Sequence, residues 1–256
     1  MDETEAPVTE HLAELRLCIT IVLVSWIVCA IACFSFAEEI FGFLLAPAVD
    51  AIGLSGGSLQ AIAPGEIFFT YLKSAMLAGF ILDLPIVFWQ LWSFIAPGLY
   101  ANEKKFVLPF VFTSSLLFAG GAVFGYSQVF PLVFEFFNSF TNEFVESAWT
   151  MSEVFKLTTR LFLAFGIAFE LPLLVFFLSV SGIVSAGKLL RGTPYAVLII
   201  FVAAALLTPP DVVSQVLLGL PMIVLYLLGV SVAWVFDPER RRKKREAKEA
   251  ARAKAS

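Results

Sequence analysis

Long apolar runs alternate with short polar segments along this chain. Six runs approach the roughly 20 residues that a helix needs to cross about 30 Å of hydrocarbon. Because a segment crossing lipid must satisfy its own backbone hydrogen bonds, each run is predicted to be an α-helix. The predicted spans cover residues 17–37, 68–92, 106–134, 155–180, 194–208 and 212–235.

The composition agrees with an all-α membrane protein. Hydrophobic residues make up 59% of the chain and charged residues 15%, against about 25% charged residues in soluble domains. The segment before the first run is acidic and lacks the basic start of a secretory signal, so we expect the first helix to be retained. We predict a six-helix transmembrane domain over residues 1–236 and a basic cytoplasmic tail over 237–256.

The distribution of basic residues predicts the orientation, because cytoplasmic loops are enriched in Lys and Arg. Residues 38–67 and 138–153 contain no Lys or Arg, whereas nine basic residues lie between Arg240 and Lys254. The N- and C-termini are therefore predicted to be cytoplasmic. The other basic residues on the predicted cytoplasmic side are Arg16, Lys104, Lys105, Lys188 and Arg191.

Two segments on the predicted outer side have apolar residues at helical spacing. We expect short helices within residues 38–49 and 136–155, and we expect Pro47 to end the first of them. The fifth run, residues 194–207, would be only about 21 Å long as a helix. We therefore hypothesise that the bilayer is locally thinned beside it.

The residue types argue against catalysis and metal binding. The chain has one His and three Cys, and the Cys all lie in the first apolar run, where packing is the simpler interpretation. The segment GIVSAGKLL (182–190) has the glycine–lysine spacing of a phosphate-binding loop, but Leu189 stands where that loop needs Ser or Thr. We therefore predict no enzyme activity, no catalytic residue, no cofactor and no metal site.

Four motifs, in order along nearly the whole chain, resemble the TatC family. They are HLAELR (11–16), FIAPGLYANEK (94–104), FGIAFELP (165–172) and LLTPPDVVSQVLLGLPM (206–222). Cys18 departs from the family pattern, which often has a second basic residue there. The resemblance implies a glove-shaped helical fold with a concave membrane face, in the bacterial cytoplasmic (inner) membrane.

This family is the multispanning receptor subunit of the twin-arginine protein translocase. The resemblance implies binding of twin-arginine signal peptides, assembly with the single-span subunits TatA and TatB, and export of folded proteins driven by the protonmotive force. Self-association of the chain is also compatible with it. We expect the tail to attract anionic lipid and do not expect binding to nucleic acid.

An arginine pair needs carboxylates, because guanidinium and carboxylate groups pair in a bidentate geometry that Lys cannot reproduce. Glu103 lies in a predicted cytoplasmic loop, and Glu14 lies at the cytoplasmic end of the first span. Phe94 lies at the same boundary and could stack on a guanidinium. The family's site includes positions matching Phe94 and Glu103. The alternatives are a solvated loop charge at Glu103 and a helix charge paired with Arg16 at Glu14.

Three further polar residues are candidates for the concave face or a partner. Glu170 lies inside the fourth run, where a carboxylate costs about 2.5–3.5 kcal/mol on insertion scales, and Pro172 can bend the helix beside it. Asp211 and Gln215 lie beside the turn before the sixth run. A buried hydrogen bond at Glu170 and a helix cap at Asp211 are the structural alternatives.

A proton-coupled transporter of small solutes is the rival function, since Glu170 and Asp83 could carry protons. The chain lacks the internal repeat that is common in such transporters. Binding that requires two arginines in a peptide would favour the receptor, and solute flux without partner subunits would favour the transporter.

Overall fold

The computed structural model describes residues 5–53, 59–95, 104–140, 149–207 and 212–236, and these residues are almost entirely helical. Ten α-helices and one π-helical segment lie in the described part of the chain. They are α1 (Glu5–Phe34), α2 (Ala37–Gly53), α3 (Pro64–Ile95), α4 (Lys104–Phe124), the π segment (Gly125–Val129), α5 (Phe130–Asn138), α6 (Met151–Phe169), α7 (Leu171–Val180), α8 (Ala186–Arg191), α9 (Thr193–Leu207) and α10 (Val212–Phe236).

Five helical stretches in the described residues are long and apolar enough to cross a membrane. They are Leu12–Phe34, Pro64–Phe94, Leu108–Asn138, Met151–Val180 and Val212–Phe236. These stretches confirm the prediction of an all-helical, multi-pass membrane protein. The fifth predicted span corresponds to α9, a shorter apolar helix of 15 residues, which is about 22 Å long.

Helix α2 corrects one prediction, because it continues through Pro47 to Gly53. Proline lacks the N–H that would bond to the carbonyl four residues earlier, which belongs to Phe43. The hydroxyl of Tyr126 donates to that carbonyl instead, at 2.7 Å, and the ring of Tyr126 stacks on that of Phe43 at a centroid distance of 4.9 Å. A side chain from the π segment thus replaces the missing donor, so the helix does not end at the proline.

The fourth span is interrupted at Glu170, which separates α6 from α7. Pro172 has no N–H to donate to Ala168, as the sequence indicated. The backbone instead closes a tight turn, in which Glu170 N–H donates to Ile167 O at 3.0 Å and Leu174 N–H donates to Glu170 O at 2.9 Å. The helix is thus interrupted beside Pro172, where the sequence analysis placed a possible bend.

The third span packs closely on α6 through two glycines. A Cβ added at Gly121 would collide with the carbonyl oxygen of Phe165, and one added at Gly125 would lie 2.8 Å from its ring. Two glycines four residues apart on a membrane helix permit such a close contact between helices. The partner of these glycines is α6 of the same chain.

The segments that precede α3 and α6 are joined by backbone hydrogen bonds and one carboxylate. The backbone N–H of Gln60, before α3, donates to Trp149 O, before α6, at 2.9 Å. The backbone carbonyl oxygen of Gln60 accepts from the N–H of Met151 at 2.9 Å. Glu66 accepts from the N–H groups of Ile62 and Ser152, both at 2.8 Å. We call this arrangement the Glu66 clasp.

The chain divides into two compact units. The first comprises residues 1–119 and 126–160, and the second comprises residues 120–125 and 161–256. In the first unit α3 packs against α1 and α2, and in the second α10 packs against α7, α8 and α9. The Tyr226 hydroxyl on α10 donates to Leu189 O on α8 at 2.8 Å, which fixes that short helix.

Candidate functional site at the ends of α1 and α3

Helices α1 and α3 are antiparallel neighbours in the first unit. The ring centroids of Phe34 and Phe68 lie 6.4 Å apart, and the Trp26 indole N–H donates to Met76 O at 2.8 Å. A Cβ added at Gly79 would lie 2.5 Å from the backbone nitrogen of Ala30. Since real Cβ atoms do not approach that closely, the two backbones touch here only because residue 79 is glycine.

The face of α1 that turns towards α3 is a narrow stripe. Residues with restricted exposure recur at three- and four-residue intervals, as expected for one face of a helix. The stripe contains all three cysteines, which supports the packing interpretation over a metal site. Its members are Cys18, Val22, Ser25, Trp26, Cys29, Ala30 and Cys33.

The register of α1 against α3 places Glu14 and Phe94 at the same height along the axes of the two helices. The Ser25 hydroxyl on α1 faces the carboxyl group of Asp83 on α3. Glu14 lies eleven residues before Ser25, and Phe94 lies eleven residues after Asp83. At 1.5 Å per residue, both lie about 16 Å from the Ser25–Asp83 level in the same direction.

Of the three residues predicted to bind the signal peptide, Glu14 is exposed on α1 and Phe94 is half-buried near the end of α3. Glu103 lies outside the described residues. The structure therefore places two of the three at one end of a helix pair. At this end, an exposed carboxylate and a half-buried aromatic ring are chemically suited to a guanidinium ligand.

Trp92 is a residue at this end that the sequence analysis did not identify. Its buried indole donates to the Ser114 hydroxyl on α4 at 3.0 Å, and its ring stacks on Phe110 at a centroid distance of 4.6 Å. These contacts anchor the end of α3, two residues before Phe94, against α4. The aromatic sequence FWQLW was the available signal, but it did not reveal the partner helix.

The remaining predicted residues lie in the second unit. Glu170 is half-buried at the junction of α6 and α7. Gln215 on α10 donates from its side-chain amide to Phe201 O on α9 at 2.9 Å, so it links these two helices. Asp211, including its predicted capping role, lies outside the described residues.

The described residues do not bring together three or more His, Cys, Asp or Glu side chains in a way that could hold a metal ion. The Lys156 ammonium group pairs with the Glu153 carboxylate at 2.6 Å.

Comparison with known proteins identifies the family. Residues 10–221 match the model described as TatC, Sec-independent protein translocase protein. A protein from Desulforapulum autotrophicum, named Sec-independent protein translocase protein TatC, is 40% identical over 248 residues, which cover 97% of this chain and 92% of that protein. The protein of the same name from Koribacter versatilis is 42% identical over 244 residues, covering 94% of this chain and 90% of that protein.

The fold comparison agrees. A crystal structure described as the twin-arginine translocase receptor TatC superposes with a TM-score of 0.79 and 32% sequence identity. The match covers 88% of this chain and 99% of the other chain. A second crystal structure of the TatC receptor, in DDM, gives a TM-score of 0.78 and 31% identity.

Proposed function

Because this chain belongs to the TatC family and is a component of the twin-arginine protein translocase, we propose that it is the receptor for twin-arginine signal peptides. It is a multi-pass membrane protein that acts in protein transport and not as an enzyme. The observation that carries the proposal is the alignment of Glu14 with Phe94 at one end of the antiparallel α1–α3 pair.

In this proposal the end carrying Glu14 and Phe94 faces the cytoplasm, as the positive-inside pattern of the sequence predicts. Glu103, nine residues after Phe94 in the sequence, is proposed to add a second carboxylate where a signal peptide reaches the membrane. One carboxylate can pair with each guanidinium, and Phe94 can cover one of the planar groups.

The proposal extends to the inner-membrane location, six spans, a glove shape and assembly with TatA and TatB. Glu170 and the α9–α10 pair held by Gln215 are the proposed partner-facing elements of the second unit. The described residues include no nucleotide-binding loop, so the energy for transport would come from the membrane and the partner subunits.

Binding of labelled signal peptides to the purified protein in lipid tests the receptor function. We expect an Arg-Arg peptide to bind more tightly than a Lys-Lys peptide. We also expect Glu14→Gln and Glu103→Gln each to weaken Arg-Arg binding by about tenfold or more, since a hydrogen bond to a charged group is worth about 1.5–3 kcal/mol.

Glu38→Gln is the matched control, because Glu38 is an exposed carboxylate at the start of α2. It should leave binding of both peptides unchanged. Equal binding of the two peptides by the unmodified protein would contradict the receptor function. Equal losses in Glu14→Gln and Glu38→Gln would show that only general surface charge matters.

A further inference from the structure

Asp83 is a carboxyl group in the middle of α3 that has no part in the proposed receptor function. Its side chain is 0% exposed, and it lies within a stretch long enough to span the membrane. Among the described residues, neither of its oxygen atoms has a hydrogen bond of normal geometry. The Ser25 hydroxyl on α1 is the polar side chain that faces it.

The hydrogen bonding of Ser25 determines what Asp83 can do. The Ser25 hydroxyl donates its proton to Ile21 O of its own helix at 2.8 Å. With its proton used there, the Ser25 oxygen can accept a hydrogen bond from a protonated Asp83. An ionised carboxylate has no proton to donate, whereas a neutral carboxylic acid has one.

The surroundings of Asp83 also favour the neutral acid. Near Asp83, the stripe of α1 that packs against α3 contributes thiols and apolar groups. Lys73 lies ten residues before Asp83 in the sequence, at an exposed position of α3. A buried charge without a partner is far more costly than a neutral group that can hydrogen-bond. The contact therefore resembles a polar link between two membrane helices.

We infer that Asp83 is a positioning residue: as a neutral acid it donates to Ser25, fixes the rotation and register of α1 on α3, and thereby sets the position of Glu14 relative to Phe94. Helix α1 packs mainly against α3, so its rotation depends on the contacts within this helix pair. A slip of one residue would turn Glu14 by about 100° around α1. The link to peptide binding depends on the receptor function proposed above.

Three substitutions, made in the full-length protein in lipid, separate the polar link from simple packing. Asp83→Asn keeps a neutral donor of similar size, so Arg-Arg peptide binding should stay within about twofold of the unmodified protein. Asp83→Leu and Ser25→Ala remove the link, and each should weaken binding by roughly three- to tenfold. The Asp83→Leu, Ser25→Ala double variant should lose no more than Asp83→Leu alone, because both changes remove one interaction.

Infrared spectroscopy tests the protonation directly. The unmodified protein should show the carbonyl stretch of a protonated carboxylic acid that is absent from the Asp83→Asn spectrum. Absence of that band would overturn the neutral acid. Binding by Asp83→Leu equal to that of the unmodified protein, or binding by Asp83→Asn as weak as that of Asp83→Leu, would overturn the positioning role.

The test also distinguishes this inference from the receptor function. If the unmodified protein bound Arg-Arg and Lys-Lys peptides equally, the receptor function would fail and the positioning role would fail with it. The neutral Ser25–Asp83 link would still be judged by the infrared band. It would also be judged by thermal unfolding, in which Asp83→Asn should be more stable than Asp83→Leu.

Discussion

The two ends of α3 use polar groups differently. At the Glu66 end, one carboxylate accepts from backbone N–H groups of two segments that lie far apart in the sequence. At the Phe94 end, the polar anchor is the indole of Trp92, and the carboxylate at that level, Glu14, is exposed on the neighbouring helix. Both ends are therefore fixed by the chain itself, but only the Phe94 end has an exposed carboxylate, Glu14, beside it that belongs to the proposed peptide site.

The largest expected effect comes from separating α1 from α3 between these ends. Gly79→Ala would place a methyl group 2.5 Å from the backbone of Ala30, and such overpacking costs about 1–3 kcal/mol. We expect a lower unfolding temperature and a loss of Arg-Arg peptide binding of at least about fivefold.

Gly120→Ala is the control for this substitution, because nothing lies within 4 Å of a Cβ at Gly120. It should be neutral or slightly stabilising, since alanine favours a helix more than glycine does. If both variants unfolded at the same temperature and bound peptide equally well, the close approach of α1 and α3 would have no importance for the site.

The Glu66 clasp should affect stability without affecting ligand choice. Glu66→Ala leaves the N–H groups of Ile62 and Ser152 without their acceptor, so the unfolding temperature should fall by roughly 5 °C. The ratio of Arg-Arg to Lys-Lys peptide binding at the other end of α3 should remain unchanged.

Glu153→Ala is the matched variant for the clasp. Its carboxylate makes a solvent-exposed pair with Lys156, and such pairs contribute little to stability. A change in peptide preference in Glu66→Ala at temperatures where the protein is folded would remove the distinction between the two ends of the helix.

Some of this arrangement could be predicted from the sequence because its causes are local. Apolar run length predicts the long helices, and Pro172 predicts the break at Glu170, since the missing N–H and the bend lie within one turn. The family motifs also indicated Glu14 and Phe94 as candidates before their helices could be paired.

Other features depend on contacts between distant parts of the chain. Pro47 does not end α2, because Tyr126, 83 residues away from the acceptor Phe43, supplies a substitute donor. The partner of Asp83 could not be deduced, since it depends on the register of α1 against α3. Contacts of Gly79, Trp26 and the rings of Phe34 and Phe68 take part in that register, and no local pattern specifies it.

The smallest expected effect concerns the anchor at the Phe94 end. Trp92→Phe keeps an aromatic ring against Phe110 but removes the hydrogen bond to Ser114, which is worth about 1 kcal/mol. Ser114→Ala removes the same bond from the other side and keeps the indole. If the anchor positions Phe94, each variant should weaken Arg-Arg peptide binding by about two- to fivefold and should affect Lys-Lys binding less. If binding of the two peptides were weakened equally, Trp92 would support the fold of the first unit and not the arginine-selective surface. The contrast between the two ends of α3 would then rest on Glu14 and Phe94 alone.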